Sequence, residues 1–163
     1  MTHPHIKSIE NMEASSLIGI LEESKMIYVR ENLSTYLHNS QIRLLKKVRS
    51  HEKPHHKKIR IAAYKKAQKD DLFKIHLEIF YKKYIKLEQR GLIEIDKAPE
   101  NGLFYDCILT EKGLNVLDEI EVLEKEWEEV VGITEADREI LKDIALEAFK
   151  ISYNHKKKQE FIF

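Results

Sequence analysis

The sequence predicts a mainly α fold of the α+β type, with helices before and after a single two-stranded β hairpin. Its 163 residues contain only 5 Gly and 3 Pro, too few turn-formers for a loop-rich β-sandwich. Phe73, Leu77, Phe80, Tyr84 and Leu87 recur at spacings of 4, 3, 4 and 3, the period of one helix face. After Gly91 the period shortens into two β-type runs around Asn101-Gly102, a dipeptide suited to a tight hairpin turn.

The elements follow in chain order. Ser15 or Ser16 is placed to cap a first helix over 16–33, in which Leu17, Ile20, Leu21, Ile27 and Val29 are mixed with polar groups. A second helix is expected over 34–50, with Leu37, Ile42, Leu44, Leu45 and Val48 apolar. The polar stretch from His51 to Lys58 contains Pro54, which disfavours helix at Lys53 and marks a boundary. A third helix is expected over 59–68, before the Lys-Asp-Asp punctuation at 69–71. The fourth, over 71–90, is the most regular; Asp70 or Asp71 can cap its start, and Gly91 can end it in a left-handed C-cap. Strands are expected over 92–96 and 103–109. Thr110 then opens a helix carrying Val116, Ile120, Leu123, Trp127 and Val130 at heptad-like spacing, and Gly132 breaks it. Thr134 with Asp137 resembles a capping box, opening a last helix to about residue 153.

Composition and charge exclude several classes. No apolar run approaches the roughly 20 residues of a membrane helix, and the N-terminus lacks the basic-then-apolar layout of a signal peptide. The single cysteine, Cys107, cannot form an internal disulfide, which fits a reducing cytoplasm. A cytoplasmic protein with no membrane partner is therefore expected. The 28 basic and 28 acidic side chains cancel, but unevenly: residues 41–90 hold 16 basic and 5 acidic groups (net +11), and residues 111–147 hold 4 and 13 (net −9). The middle third is a candidate polyanion-binding surface, with the acidic stretch pointing away from it. On charge alone, pairing between Lys-rich and Glu-rich helices accounts for the same numbers.

The order of helix, polar turn, long amphipathic helix, Gly-Leu-Ile and hairpin is that of a winged helix-turn-helix. Residues 84–96 (YIKLEQRGLIEID), followed by ILTEKG at 108–113, resemble the MarR family of transcription regulators. Leu87, Glu88, Gly91, Leu92 and Ile93 match the L-E-x-x-G-L-[IV] pattern that closes that family's recognition helix. Leu109, Thr110 and Gly113 match the L-T-x-x-G that follows its wing, and GITEADREILKDIAL at 132–146 resembles its final turn and helix. The resemblance covers about residues 75–150 and reaches the N-terminal third only through helix order.

It implies a winged-helix core over 34–109 that binds double-stranded DNA, with helical dimerisation regions over 10–33 and 110–153, all within a single domain spanning 1–163. The helix before Gly91 would lie in the major groove, where base edges present distinguishable patterns. Its outward positions are Glu78, Lys82, Lys86 and Gln89, with Lys74 nearby and Ile79 near the base-reading end. Glu78 would accept from a cytosine amine and Lys82 donate to guanine, while Lys57, Lys58, Arg60, Lys65 and Lys83 would hold phosphates. An ordinary solvated face accounts for each lysine singly. The family's wing tip carries an Asp-x-Arg motif, whereas no arginine lies between Arg90 and Arg138 here. Asp96 and Lys97 are the nearest equivalents, so Lys97 is the wing candidate and a deep minor-groove contact is not expected. Ile75 and Ile85 fall on the outward side of the long helix and need a partner.

No catalytic, metal or cofactor site is expected. His51, His55 and His56 lack a recurring Cys/His zinc spacing, Cys107 sits in an expected wing strand as a structural thiol, and no nucleotide-binding or hydrolase motif is present. The chain is thus not expected to be an enzyme. Leu17, Ile20 and Leu21, with Ile140, Ile144, Ala148 and Ile151, are more apolar residues than one small wing domain needs; the resemblance makes them a homodimer interface, and packing within the chain is the alternative. The leading expectation is a homodimeric, sequence-specific DNA-binding transcriptional regulator, a small-molecule effector between wing and dimer helices being left open. The alternatives are a winged-helix protein-interaction module and a replication- or plasmid-type initiator, since residues 61–88 are also similar to archaeal initiator winged-helix modules.

Overall fold

The computed structural model describes residues 8–51, 69, 71–97 and 104–158; the side chains of 51, 73, 74, 76–78, 80, 81, 96, 97, 104–106 and 153–158 fall outside that description. The helix expected over 59–68 and the Asn101-Gly102 turn lie outside the described residues. The described elements are α1 (Ala14–Asn32), α2 (Asn39–His51), α3 (Asp71–Gln89), β1 (Ile93–Lys97), β2 (Phe104–Leu109), α4 (Glu111–Val131) and α5 (Glu135–Lys158). Among the described residues this is the expected mainly α architecture with one two-stranded sheet. The chain divides into two compact units, Met1–Glu124 and Lys125–Phe163.

In the first unit, α1 starts two residues earlier than expected. Its N-cap is Glu13, which makes no side-chain cap bond, so neither Ser15 nor Ser16 caps it. Residue 34 does not begin a helix either. The Ser34 N–H and hydroxyl both donate to the Glu119 carboxylate at 2.6 Å, and the chain stays out of helix until His38. There the Gln41 side chain accepts the His38 N–H at 3.0 Å while the His38 carbonyl accepts from Gln41 and Ile42, the reciprocal half of a capping box that starts α2. The periodicity of 34–50 is the same either way; a carboxylate from α4 decides where the helix begins.

The end of α3 follows the L-E-x-x-G-L pattern residue by residue. Gly91 has φ +71; its N–H donates to the Glu88 carbonyl, and the Leu92 N–H donates to that of Leu87. This is a Schellman cap, with the accompanying apolar contact supplied by buried Leu87 and Leu92. The Glu88 carboxylate accepts the Ile95 N–H at 3.0 Å, so the helix's last turn also anchors β1. Strands β1 and β2 pair antiparallel with Ile93 opposite Leu109 and Ile95 opposite Cys107. Ile93, Cys107 and Leu109 are buried while Glu94 and Ile108 face out, the alternation of a sheet with one covered face.

Thr110 joins these pieces. Its hydroxyl donates to the Gly91 carbonyl at 2.6 Å and accepts the Gly113 N–H at 3.0 Å, so one side chain caps α4 and ties it to the end of α3. A Cβ on Gly113 would lie 2.0 Å from the Leu92 carbonyl oxygen; the glycine of L-T-x-x-G is there because two backbones touch. The core collects Val29 of α1, Leu37, Ile42 and Leu45, Tyr84 and Leu87 of α3, and Leu117 and Ile120 of α4. Ile85 packs partly buried against it, which corrects its expected outward placement: at the C-terminal end of α3 the buried face is wide enough to include it.

In the second unit, α4 ends at Gly132 with φ +83 and a second Schellman pair, Gly132 to Glu129 and Ile133 to Glu128. The Thr134–Asp137 capping box opens α5, which runs to Lys158 rather than 153. Asp137 accepts the Thr134 N–H at 2.8 Å and hydroxyl at 2.6 Å, and its own N–H donates back to Thr134 at 3.2 Å.

Candidate nucleic-acid interface

Helix α3 has one buried and one open face. Tyr84 and Leu87 are buried in the core, whereas Lys82, Lys83, Lys86 and Gln89 are exposed, as an amphipathic helix on a core requires. Leu72, Ile75 and Ile79 are also exposed, at 73%, 51% and 54%. At about 100° per residue these apolar positions share one stripe about 100° wide with the three lysines. Ile75 is thus placed outward as its spacing implies, and Leu72 joins it, a residue that sequence reasoning passed over although it lies at the same helical period. Lys74 and Glu78 belong to α3 and Lys97 ends β1. Lys57, Lys58, Arg60 and Lys65 lie outside the described residues.

The basic character of 41–90 is distributed unequally between its helices. On α2, Lys46 pairs with Glu124, Arg49 Nη1 lies 2.7 Å from Glu121, and Arg43 Nη2 lies 3.6 Å from Glu22. Glu22 is itself held below its usual pKa: its partial burial opposes this, but the hydrogen bond from Lys25 and the charges of Lys25, Arg43 and Lys46 outweigh it. Charge pairing between Lys-rich and Glu-rich helices is therefore the correct account for α2. It also corrects the expectation that the acidic stretch points away: Glu119, Glu121 and Glu124 turn to the Ser34 loop and α2. For α3, Lys82, Lys83 and Lys86 have no ion pair among the described residues.

The wing-strand cysteine is buried, with Cys107 5% exposed. An open depression at the end of α1 is lined by Arg30, Glu31, Leu33, Ser34 and Tyr36, beside the edge-on Tyr36–His38 ring pair, 5.1 Å between centroids. Among the described residues no helix is long and apolar enough to cross a membrane.

The candidate dimer residues fall in two places. On α1, Leu17 and Leu21 are exposed and Ile20 half-buried, although Met26 and Val29 further along the same helix are buried. On α5, Ile140, Ile144, Ala148 and Ile151 are all exposed, and at helical spacing they form one stripe. Of the heptad-like α4 series, Trp127 is buried and Val130 is exposed.

No protein-family model matches the sequence, and no curated relative matches it. Among solved structures the chain is similar to one described as the crystal structure of MarR, with a TM-score of 0.65 and 19% identity, covering 91% of this chain and 97% of that one. The chain has a MarR-like fold. At this identity the likeness establishes the architecture, and within a MarR-like fold α3 is the helix before the wing, and β1 and β2 are the wing itself.

Proposed function

We propose that the chain is a homodimeric transcriptional regulator that binds double-stranded DNA sequence-specifically, with α3 in the major groove. The observation that carries this is the exposure of Lys82, Lys83 and Lys86 on one side of α3, turned away from buried Tyr84 and Leu87, in a chain whose fold is MarR-like. Ammonium groups on an open helix face, free of ion pairs among the described residues, meet the requirement of a phosphate-lined groove. Residues 34–109 form the DNA-binding core in this proposal. The apolar residues of α1 and α5 form the dimer, and twofold symmetry would present two copies of α3 to successive major grooves about 34–36 Å apart. A small-molecule effector is compatible with the same arrangement.

Binding to genomic DNA fragments at rising salt tests the proposal. The expected result is a steep linear fall of log affinity with log salt concentration and a twofold-symmetric footprint at a promoter. Absence of salt-sensitive duplex binding would overturn it; a footprint on origin repeats would move the protein from regulation to initiation.

A further inference from the structure

Among the described side chains, the open face of α3 is chemically divided along its length. Its first part presents Leu72, Ile75 and Ile79, and its second part Lys82, Lys83 and Lys86. At about 1.5 Å per residue the apolar part covers roughly 10 Å, comparable with a B-DNA major groove about 12 Å wide. Resting on the DNA-binding role proposed above, we infer that Ile75 and Ile79 are specificity-determining residues that pack on thymine 5-methyl groups in the major groove, while the lysines of the next turns hold the flanking phosphates.

The charge division of one stripe argues for DNA as the occupant. A purely apolar partner would leave three lysines against apolar surface, and a purely acidic one would leave Leu72, Ile75 and Ile79 against charge. A duplex offers both surfaces, phosphates at the groove rim and thymine methyls on its floor. An isoleucine has no donor or acceptor, so seating it against guanine N7 and O6 or the cytosine amine leaves those groups unpaired at a cost. Against thymine it covers the C5-methyl instead. Burying one methyl is worth about a fourfold change in affinity, and the discrimination needs no hydrogen bond.

The test uses the full chain and a duplex selected from random sequence, prepared once with thymine and once with 2′-deoxyuridine, which differs only by the missing methyl. Selected half-sites are expected to contain thymine, and uracil is expected to weaken binding about fourfold per contacted base. In Ile75→Ala and Ile79→Ala that uracil penalty should vanish at one thymine position each. Both side chains are exposed, so the alanine variants keep the core, and unchanged melting temperatures verify it. Equal affinity for the two duplexes, or alanine variants that weaken both equally, would overturn the inference while leaving salt-sensitive DNA binding in place. Loss of the uracil penalty without loss of salt sensitivity in the variants is the supporting result. Absence of any duplex binding removes both proposals, and capture of an apolar protein surface by Ile75 and Ile79 would replace this one.

Discussion

At the scale of single residues, three glycines near helix ends do different work. Gly91 and Gly132 adopt positive φ with open space around the missing Cβ. A side chain there strains the backbone without a clash, so Gly91→Ala should cost about 1–2 kcal/mol, and Gly91→Asn should recover part of that because Asn tolerates the left-handed region. Gly113 is the opposite case. It lies in a helix, but a Cβ would press on the Leu92 carbonyl oxygen, a backbone atom. Gly113→Ala should therefore cost at least the 1–3 kcal/mol or so of an overpacked site, and Asn should give no recovery. Urea denaturation of the four variants, Ala and Asn at each position, separates the two causes. Asp137 supplies a pH prediction. The Thr134 hydroxyl and N–H bound to its carboxylate hold its pKa below the usual 3.8. A lowered folded pKa means its stabilisation is complete above 3.8 and is lost as pH falls through the lowered value. An NMR titration of the Thr134 amide should thus report uncapping of α5 with a midpoint below pH 3.8, and Asp137→Asn should remove that step.

At the scale of elements, the two basic helices should respond oppositely to neutralisation. Lys46 and Arg49 of α2 meet Glu124 and Glu121, so Lys46→Gln with Arg49→Gln should lower stability by less than about 1 kcal/mol per pair, as surface ion pairs do, and leave the salt dependence of DNA binding nearly unchanged. Lys82→Gln with Lys86→Gln on α3 should leave stability unchanged and lower the salt slope by about 0.9 for each phosphate no longer neutralised. Thermal melts and binding isotherms at several salt concentrations make the comparison. The distinction between the helices is invisible in a charge count, because Arg43, Lys46 and Arg49 differ from Lys82, Lys83 and Lys86 only in what faces them.

At the scale of the whole molecule, exposed apolar residues line the first half of α1 and the length of α5, besides those of α3 and α4. A solvated α5 carrying Ile140, Ile144 and Ile151 at more than half exposure is a large apolar patch for a lone chain. Sedimentation should show a dimer, and Ile140→Asp with Ile144→Asp should give a folded monomer with weakened duplex binding, since two linked half-site contacts become one. A monomeric wild-type chain would remove the dimer from the proposed function.

Much of this was legible in the sequence because it is local. The 4-3 spacing from Phe73 to Leu87 dictates α3, Gly91 and the L-E-x-x-G-L pattern its end, and Thr134 and Asp137 the start of α5, since each depends on neighbours a few residues away. What only the tertiary structure decided depends on groups distant in the chain. Ser34 does not start a helix because Glu119 holds its amide and hydroxyl. Gly113 is required because Leu92 passes against it. The lysines of α3 rather than α2 are the open ones because the carboxylates of α1 and α4 reach α2. Periodicity specifies which face of a helix is apolar; only folding brings to that helix the carboxylate or carbonyl that determines what its other residues can do.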